Sequence, residues 1–193
     1  MLLLAALLSR PAAADPAPPA APPAAPTPPA AAPDASPTPV PRFSRTEVPG
    51  CGCAIYAPAG FTFGAPDKSE DQSDVWVGEI PVGKWHFGAI VMKFPKPMDA
   101  SADAMEEVLV AYLEFLKSQF SITKAVGVGR GHTHAENASA RGVIDYWEDK
   151  DGDSWAVKGW ADPTRLGVMF VYGPGQYPIF NAQQLFLDGF RFQ

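Results

Sequence analysis

The chain has 193 residues, a formal net charge of −6, and 15 lysines and arginines that are scattered rather than clustered. These features argue against a nucleic-acid partner and against an anionic membrane surface, because both functions depend on a basic patch. Composition changes sharply near residue 42, since 13 of the 22 prolines lie within residues 11–41. The remainder has the size of one ordinary domain, large enough to fold without a metal or a disulfide.

The N-terminal residues pair a short apolar run with small residues behind it. Leu2–Leu8 form the run, and Ala12–Ala14 supply small side chains where a signal peptidase would cut. The run is too short to span a bilayer, which takes about 20 residues. We predict a signal-peptide-like segment over residues 1–14, no transmembrane span, and an exported protein that is periplasmic or extracellular.

A segment rich in proline and alanine follows over residues 15–41. It contains almost nothing able to build a core, and proline also removes backbone hydrogen-bond donors. We therefore predict a disordered linker with a polyproline II bias, which reaches roughly 80 Å at ~3.1 Å per residue. Residues 42–193 are predicted to form a single globular domain.

Two apolar segments are the first clear elements of that domain. Asp74–Ile80 and Lys84–Phe94 are rich in β-branched and aromatic residues and are separated by a Pro-Val-Gly turn, which predicts an antiparallel hairpin. Ser101 is placed to cap the helix that follows, whose apolar residues recur at helical spacing as far as Phe120.

Four more strands and a second helix complete the domain. The strands are predicted at residues 122–128, 141–148, 154–161 and 166–173, the last three joined as a meander by short turns. A short helix is predicted to start near Pro178 and to end at Gly189, with Phe190 and Phe192 packing on the core. This order predicts an α+β fold, an antiparallel sheet of about six to seven strands covered by two helices.

Several segments in this order resemble the Mog1/PsbP-like domains. They are YAPAGF at Tyr56–Phe61, the helix after the first hairpin, the glycine-bearing turn before ARGVIDYWE, and the closing AQQLFLDGFRF at Ala182–Phe192. The resemblance covers residues 53–192 and implies an α/β/α sandwich around an antiparallel sheet. It also implies a non-catalytic role, because members of this class bind a small GTPase or serve as extrinsic subunits of a photosynthetic complex.

The only two cysteines, Cys51 and Cys53, flank a single glycine. Three interpretations stay open: a structural or incidental pair, which includes a strained disulfide; a working redox pair; and two thiolates that hold a soft ion such as Cu(I). Export would favour oxidation of the two thiols to a disulfide, because disulfides persist in oxidising compartments. Because the closed loop would be tiny, we expect replacement of both cysteines by serine to leave stability nearly unchanged.

A second candidate metal site lies in the segment GHTHAEN. On a strand, His132, His134 and Glu136 would share one face, and two histidines with a carboxylate are a plausible zinc set. Gly129 and Gly131 favour instead a loose hairpin tip. In that case the histidines are simply solvated on a surface loop.

The stretch Asp149–Ser154 begins like the calcium loop of a helix-loop-helix protein. That loop needs glycine at its sixth position and a bidentate glutamate at its twelfth, where this chain has Ser154 and Trp160. We therefore predict a β-turn. The sequence also lacks a nucleophile elbow and a phosphate-binding loop, and no cofactor is predicted.

The turn at Asp149–Asp153 predicts the register of its flanking strands. It places Trp147 opposite Trp155, and residues opposite one another share a sheet face. One face is predicted to carry Val143, Asp145, Trp147, Trp155 and Val157, and the other Ile144, Tyr146, Ala156 and Trp160. If one face is bare, Trp147, Trp155 and Trp160 are the candidate partner surface, because exposed apolar patches mark interaction sites.

The sequence as a whole predicts an exported, non-catalytic domain on a Pro/Ala-rich spacer. Its partner is an unidentified protein or other cell-envelope component. The alternative is a thiol-redox or soft-metal-binding protein that uses the Cys51-Gly52-Cys53 pair. Enzyme activity stays open, because a catalytic triad assembled in space leaves no local signature.

Overall fold

A large antiparallel sheet forms the middle of the domain in the computed structural model, which describes residues 40–98 and 101–193. Its strands lie in the order β3-β4-β5-β10-β9-β8-β6, and β7 also pairs with β8. They are β3 (Asp67–Lys68), β4 (Asp74–Val82), β5 (Trp85–Lys93), β6 (Ile122–Ala125), β7 (Gly129–Thr133), β8 (Arg141–Asp149), β9 (Ser154–Asp162) and β10 (Arg165–Gly173). The predicted hairpin and meander are confirmed. The signal-like segment, and the predicted linker up to residue 39, lie outside the described residues.

A second sheet brings together the two ends of the described domain. Strands β1 (Phe43–Val48), β2 (Cys53–Pro58) and β11 (Phe190–Phe192) pair antiparallel in the order β1-β2-β11. The described residues thus hold 11 strands in two sheets, and the expectation of six to seven strands was wrong. Strands as short as β3 and β11 contain too few residues to show a periodic pattern.

Helix α1 (Ala102–Gln119) covers one face of the large sheet, where it contacts β8 and β9. Ser101 caps it as predicted, since its Oγ accepts a hydrogen bond from the N–H of Ala104 at 3.1 Å. The helix lies close to the sheet at Gly159, where a Cβ atom would be only 2.8 Å from Leu109. Its buried residues are Met105, Leu109, Leu113 and Leu116.

Helix α2 (Phe180–Leu187) and the three-stranded sheet cover the opposite face. The helix contacts β2 and β10, and Phe186 packs edge-on against Phe87 with ring centroids 5.2 Å apart. It lies within the span predicted from the sequence. Each face of the large sheet therefore has one helix, which confirms the α+β class. Neither helix of the described residues is long and apolar enough to cross a bilayer.

The predicted register between β8 and β9 is also confirmed. Trp147 pairs with Trp155, and Glu148 pairs with Ser154. Side chains on one face enter the core under α1; they include Val143, Trp147, Trp155 and Val157. Ala156 and Trp160 belong to the core on the α2 side. The sheet thus separates two apolar cores, one on each face.

Candidate binding cleft

A cleft of about 570 Å³ opens on the α2 side of the large sheet. Residues from β5, β6, β8, β9, β10, α2 and the segments after β6 and β10 line it, and the principal ones are Trp85, Tyr146, Ala156, Val171, Tyr177 and Gln183. Ala156 and Val171 belong to the core on that side, so their small side chains form an apolar floor. The cleft is therefore a recess over the sheet, lined by elements distant in sequence.

One wall of the cleft is held in place by aromatic packing. Trp85 and Tyr177 meet edge-on with ring centroids 5.5 Å apart, and Tyr177 meets Phe87 in the same way at 5.2 Å. Nε1 of Trp85 donates a hydrogen bond to the carbonyl oxygen of Gly175 at 3.2 Å. These contacts fix the orientation of the indole, because edge-to-face packing has a preferred geometry.

The opposite wall exposes apolar surface to the cleft. Tyr146 is 42% exposed and Val126 is 81% exposed, although both are large apolar side chains. Burial of such surface by a bound molecule would contribute roughly 25 cal/mol per Å². This wall is therefore suited to contact with an apolar ligand.

Three residues that line the cleft, Trp147, Tyr177 and Gln183, each have a side-chain polar atom that is buried beneath the cleft surface and has no hydrogen-bond partner. The side-chain oxygen of Gln183 and the hydroxyl of Tyr177 are both buried and unpaired, and each residue is only 4% exposed. Burial raises the pKa of Tyr177, so its hydroxyl keeps its proton and can donate. An unpaired buried polar atom costs about 1–3 kcal/mol, and native proteins keep few of them.

The charged groups of the cleft lie on its rim. Nζ of Lys124 is 2.6 Å from Oε1 of Glu148, and their side chains are 72% and 41% exposed. The two charges are opposite and close together, so they largely cancel. The other lining residues carry no charged side chain, and their polar side chains include Gln176, Gln183 and Ser154.

Sequence reasoning missed both Gln183 and Tyr177. A signal for Gln183 was present, because it precedes Phe186 and Leu187 by three and four residues and so lies on the buried side of α2. A glutamine at an apolar position of a short helix is the pattern to look for. Tyr177 precedes the helix in an irregular segment, where periodicity carries no information.

The candidate partner surface of Trp147, Trp155 and Trp160 is covered. These side chains are 4%, 7% and 4% exposed. Trp155 stacks on Tyr172 at 4.1 Å and on Phe120 at 4.9 Å, and Nε1 of Trp160 donates to the carbonyl of Leu187 at 3.1 Å. The three tryptophans therefore do not form an exposed row, because α1 and the C-terminal residues pack over them. Trp147 and Trp155 only border the cleft.

Cys51 and Cys53 form a disulfide with their Cα atoms 5.3 Å apart. Gly50 and Gly52 have φ angles of 79° and 69°, a left-handed backbone that glycine adopts readily and that allows the chain to turn between the two cysteines. Both cysteines are core residues, 1% and 0% exposed. The oxidised, buried sulfurs are not thiolates that a soft metal ion can bind.

The structure does not bring His132, His134 and Glu136 together as a metal site. Both ring nitrogens of His134 are occupied: Nε2 lies 2.9 Å from the carbonyl oxygen of Phe190, and Nδ1 accepts from the N–H of Glu136 at 3.2 Å. The Glu136 carboxylate lies 3.6 Å from Arg191. No group of three His, Cys, Asp or Glu residues in the described part of the chain is arranged to hold a metal ion.

The two histidines also differ in their surroundings. His134 is 7% exposed, so the expectation of a solvated side chain is wrong for it. The reason is tertiary: its ring meets Trp160 and Phe192 edge-on, each at 5.2 Å. His132 lies in β7, where burial and the nearby charge of Lys158 lower its pKa.

The segment Asp149–Ser154 is a turn, as predicted. Oδ1 of Asp149 accepts hydrogen bonds from the N–H groups of Asp151 and Asp153 at 2.9 and 3.0 Å. Oδ2 accepts from Nε1 of Trp155 at 2.9 Å. The Asp149 carboxylate therefore stabilises the turn by accepting hydrogen bonds from residues within and just after it.

Neither a scan against protein-family models nor a search of curated proteins finds a match to this chain. The argument for function therefore depends on the cleft and its chemistry.

Proposed function

We propose that the protein is an exported, non-catalytic binding domain that holds a cell-envelope component in the cleft. The observation that carries the proposal is the cleft of about 570 Å³, which has a floor of Ala156 and Val171 and a wall of exposed apolar surface on Tyr146 and Val126. Ligand sites are typically cavities of roughly 300–1,000 Å³ with apolar walls and a few polar groups that orient the ligand.

A binding role, rather than chemistry, agrees with the distribution of charge. Of the described residues that line the cleft, Lys124 and Glu148 are the charged ones, and both are exposed and paired with each other. General acid–base catalysis usually relies on a titratable group whose pKa is tuned near neutrality by its surroundings. Reversible binding of a molecule requires no titratable group of this kind.

The test is ligand-observed NMR on the full chain, with an organic extract of cell-envelope material as the ligand source. Ser154 lines the cleft at the start of β9, so Ser154→Trp places a large ring in it. Val77 is 54% exposed and does not line the cleft, and Val77→Trp is the matched control. Saturation transfer to extract components is expected with wild type and the control and lost with Ser154→Trp. Equal transfer to all three proteins, or none to any, contradicts the proposal.

We also propose export and membership of the Mog1/PsbP-like class. The disulfide supports export, because such bonds persist mainly in oxidising compartments. The central antiparallel sheet with α1 on one face and α2 on the other supports the class. N-terminal sequencing of the mature protein is expected to start near Asp15, and an intact Met1 on exported protein contradicts the predicted cleavage. Superposition of a crystal structure on a member of the class tests the fold.

A further inference from the structure

We propose that Trp155 and Tyr172 form a redox pair that carries one-electron oxidation from the interior of the domain to its surface. Trp155 of β9 pairs with Tyr172 of β10 in the sheet register, and Tyr172 pairs in turn with His86 of β5. Residues opposite one another share a sheet face, so the three rings form an aromatic row across β9, β10 and β5. This redox role is separate from the binding of a ligand in the cleft.

The rings of the pair are in direct contact. Trp155 and Tyr172 are stacked with their centroids 4.1 Å apart and their planes inclined by only 9°. On the neighbouring strand, His86 stacks on Tyr172 at 4.8 Å. The rate of electron transfer falls exponentially with the distance between donor and acceptor, and near-parallel rings in contact leave almost no gap to cross. Transfer from Tyr172 to oxidised Trp155 is therefore limited by the movement of a proton rather than by distance.

Tyr172 also has an acceptor for the proton that a phenol releases when it is oxidised. Its hydroxyl donates a hydrogen bond to Oε1 of Glu79 at 3.1 Å, within the range of roughly 2.6–3.2 Å that proton transfer requires. The same oxygen lies 2.7 Å from Nδ1 of His86. Burial and the negative charge of Glu79 raise the pKa of Tyr172 to about 12, so the resting phenol keeps its proton. A phenol that has lost an electron is a far stronger acid and releases that proton to the carboxylate.

The transfer balances in electrons and protons. A small oxidising radical, such as the carbonate radical anion, takes one electron from Trp155 and is reduced to carbonate. The Asp149 carboxylate, 2.9 Å from the indole nitrogen, offsets the positive charge that this leaves on Trp155. Tyr172 then gives one electron back to Trp155, while the O–H bond of Tyr172 breaks and an O–H bond forms on Glu79. The products are the reduced oxidant, a tyrosyl radical and a protonated Glu79.

The surroundings of the two rings set the direction of transfer. Trp155 is buried and borders the cleft, through which a small oxidant can approach it. Tyr172 is half-buried, and the side chain of Glu79 is exposed. A phenol that can release its proton is easier to oxidise at neutral pH than an indole, so the oxidation ends on Tyr172. The pair thus removes oxidising equivalents from the core under α1, to which Trp155 belongs.

Pulse radiolysis of the full chain with the azidyl radical, which oxidises tryptophan preferentially at neutral pH, tests the proposal. All proteins carry Trp85→Phe, because Trp85 meets Tyr177 at 5.5 Å and is a second route from an indole to a phenol. The absorption of the indolyl radical should convert to that of the phenoxyl radical at a rate independent of protein concentration. Tyr172→Phe keeps the stacked ring but removes the phenol, and should abolish this conversion. Glu79→Gln keeps the size of the side chain but not its basicity, and should slow the conversion about tenfold or more.

Tyr177→Phe is the matched control, because it removes a phenol whose hydroxyl has no hydrogen-bond partner. It should leave the rate and the yield of the conversion unchanged. Conversion that persists in Tyr172→Phe, or that is lost in Tyr177→Phe, assigns the phenol to another residue and overturns the proposal. An unchanged rate in Glu79→Gln overturns the proton step, and so does absence of any conversion in the Trp85→Phe parent. Tyr172 and Glu79 are not fully buried, so both variants should fold, and near-ultraviolet circular dichroism checks this.

Discussion

Trp155 donates a hydrogen bond of 2.9 Å from its indole nitrogen to Oδ2 of Asp149. The other oxygen of the same carboxylate accepts from two backbone N–H groups of the β8–β9 turn. Asp149 and Trp155 are both buried, at 8% and 7% exposure. One side chain thus holds the turn closed and anchors the tryptophan that α1 covers.

Replacement of Asp149 by alanine should therefore lower the free energy of unfolding by about 2–3 kcal/mol. The loss arises because the buried indole N–H of Trp155 and two turn amides lose their acceptor. Asp151→Ala is the control in the same turn, since that side chain is exposed, and its effect should stay within about 0.5 kcal/mol. Denaturant unfolding measures both, and equal effects contradict the assigned role.

Acid stability should depend on the same carboxylate. Burial by itself would raise the pKa of Asp149, but the hydrogen bonds from Trp155, Asp153 and Asp151 outweigh it and lower the pKa below the usual 3.8. The stabilisation is thus complete above pH 3.8 and is lost as the pH falls through the lower folded value. Unfolding free energy should fall less steeply below that pH in Asp149→Asn than in wild type. Parallel pH profiles would falsify this assignment.

Gln183→Met should stabilise the ligand-free protein by about 1 kcal/mol, because it removes a buried oxygen that has no partner. Gln184→Met is the matched control, with an expected change within about 0.5 kcal/mol. Thermal unfolding without ligand measures both. A loss of stability in Gln183→Met would show that the amide is a structural group with a partner in solution.

The ion pair between Lys117 and Asp145 should contribute strongly to stability. Nζ of Lys117 lies 2.9 Å from Oδ2 of Asp145, whose side chain has no exposed surface. Lys117→Met leaves that buried carboxylate uncompensated, which costs about 3–5 kcal/mol. Lys124→Met breaks an exposed pair and should cost less than about 1 kcal/mol. Similar losses in the two variants would contradict the importance of burial.

The disulfide should resist reduction in the native protein, since Cys51 and Cys53 are 1% and 0% exposed. Native protein treated with a phosphine reductant and iodoacetamide should keep its mass, whereas the same treatment in concentrated guanidinium should add two alkyl groups. Rapid alkylation of native protein would support the thiol-redox alternative.

The expectation that serine is a nearly neutral replacement for both cysteines stays a prediction, and the burial of the cysteines adds a cost to be measured. That expectation rested on the small size of the closed loop and on a domain large enough to have a sufficient apolar core. Because Cys51 and Cys53 lie in the core, each serine hydroxyl is buried, at about 1–3 kcal/mol if it stays unpaired. Paired Cys→Ser and Cys→Ala variants, compared by thermal unfolding, separate the hydroxyl effect from loss of the bond.

Interactions between residues close together in the sequence were sufficient to predict several elements. Ser101 and the helical spacing behind it act within a few residues, so α1 was predictable with its cap. The turn at Asp149–Asp153 likewise places Trp147 opposite Trp155 through its length alone. The solvent exposure of the tryptophan side chains was not predictable in the same way. The tryptophans are buried because α1 and the C-terminal residues pack on them, and those contacts join distant parts of the chain.

By itself the sequence determined the α+β class, the capped helix and the register of the meander, because each depends on residues that are neighbours along the chain. Only the tertiary structure decided the cleft. Trp85, Tyr177 and Gln183 come from separate elements, and a polar atom is left without a partner only once everything around it has packed. The pairing of β11 with β2 was decided in the same way, since a strand of three residues takes the sheet edge that the fold brings beside it.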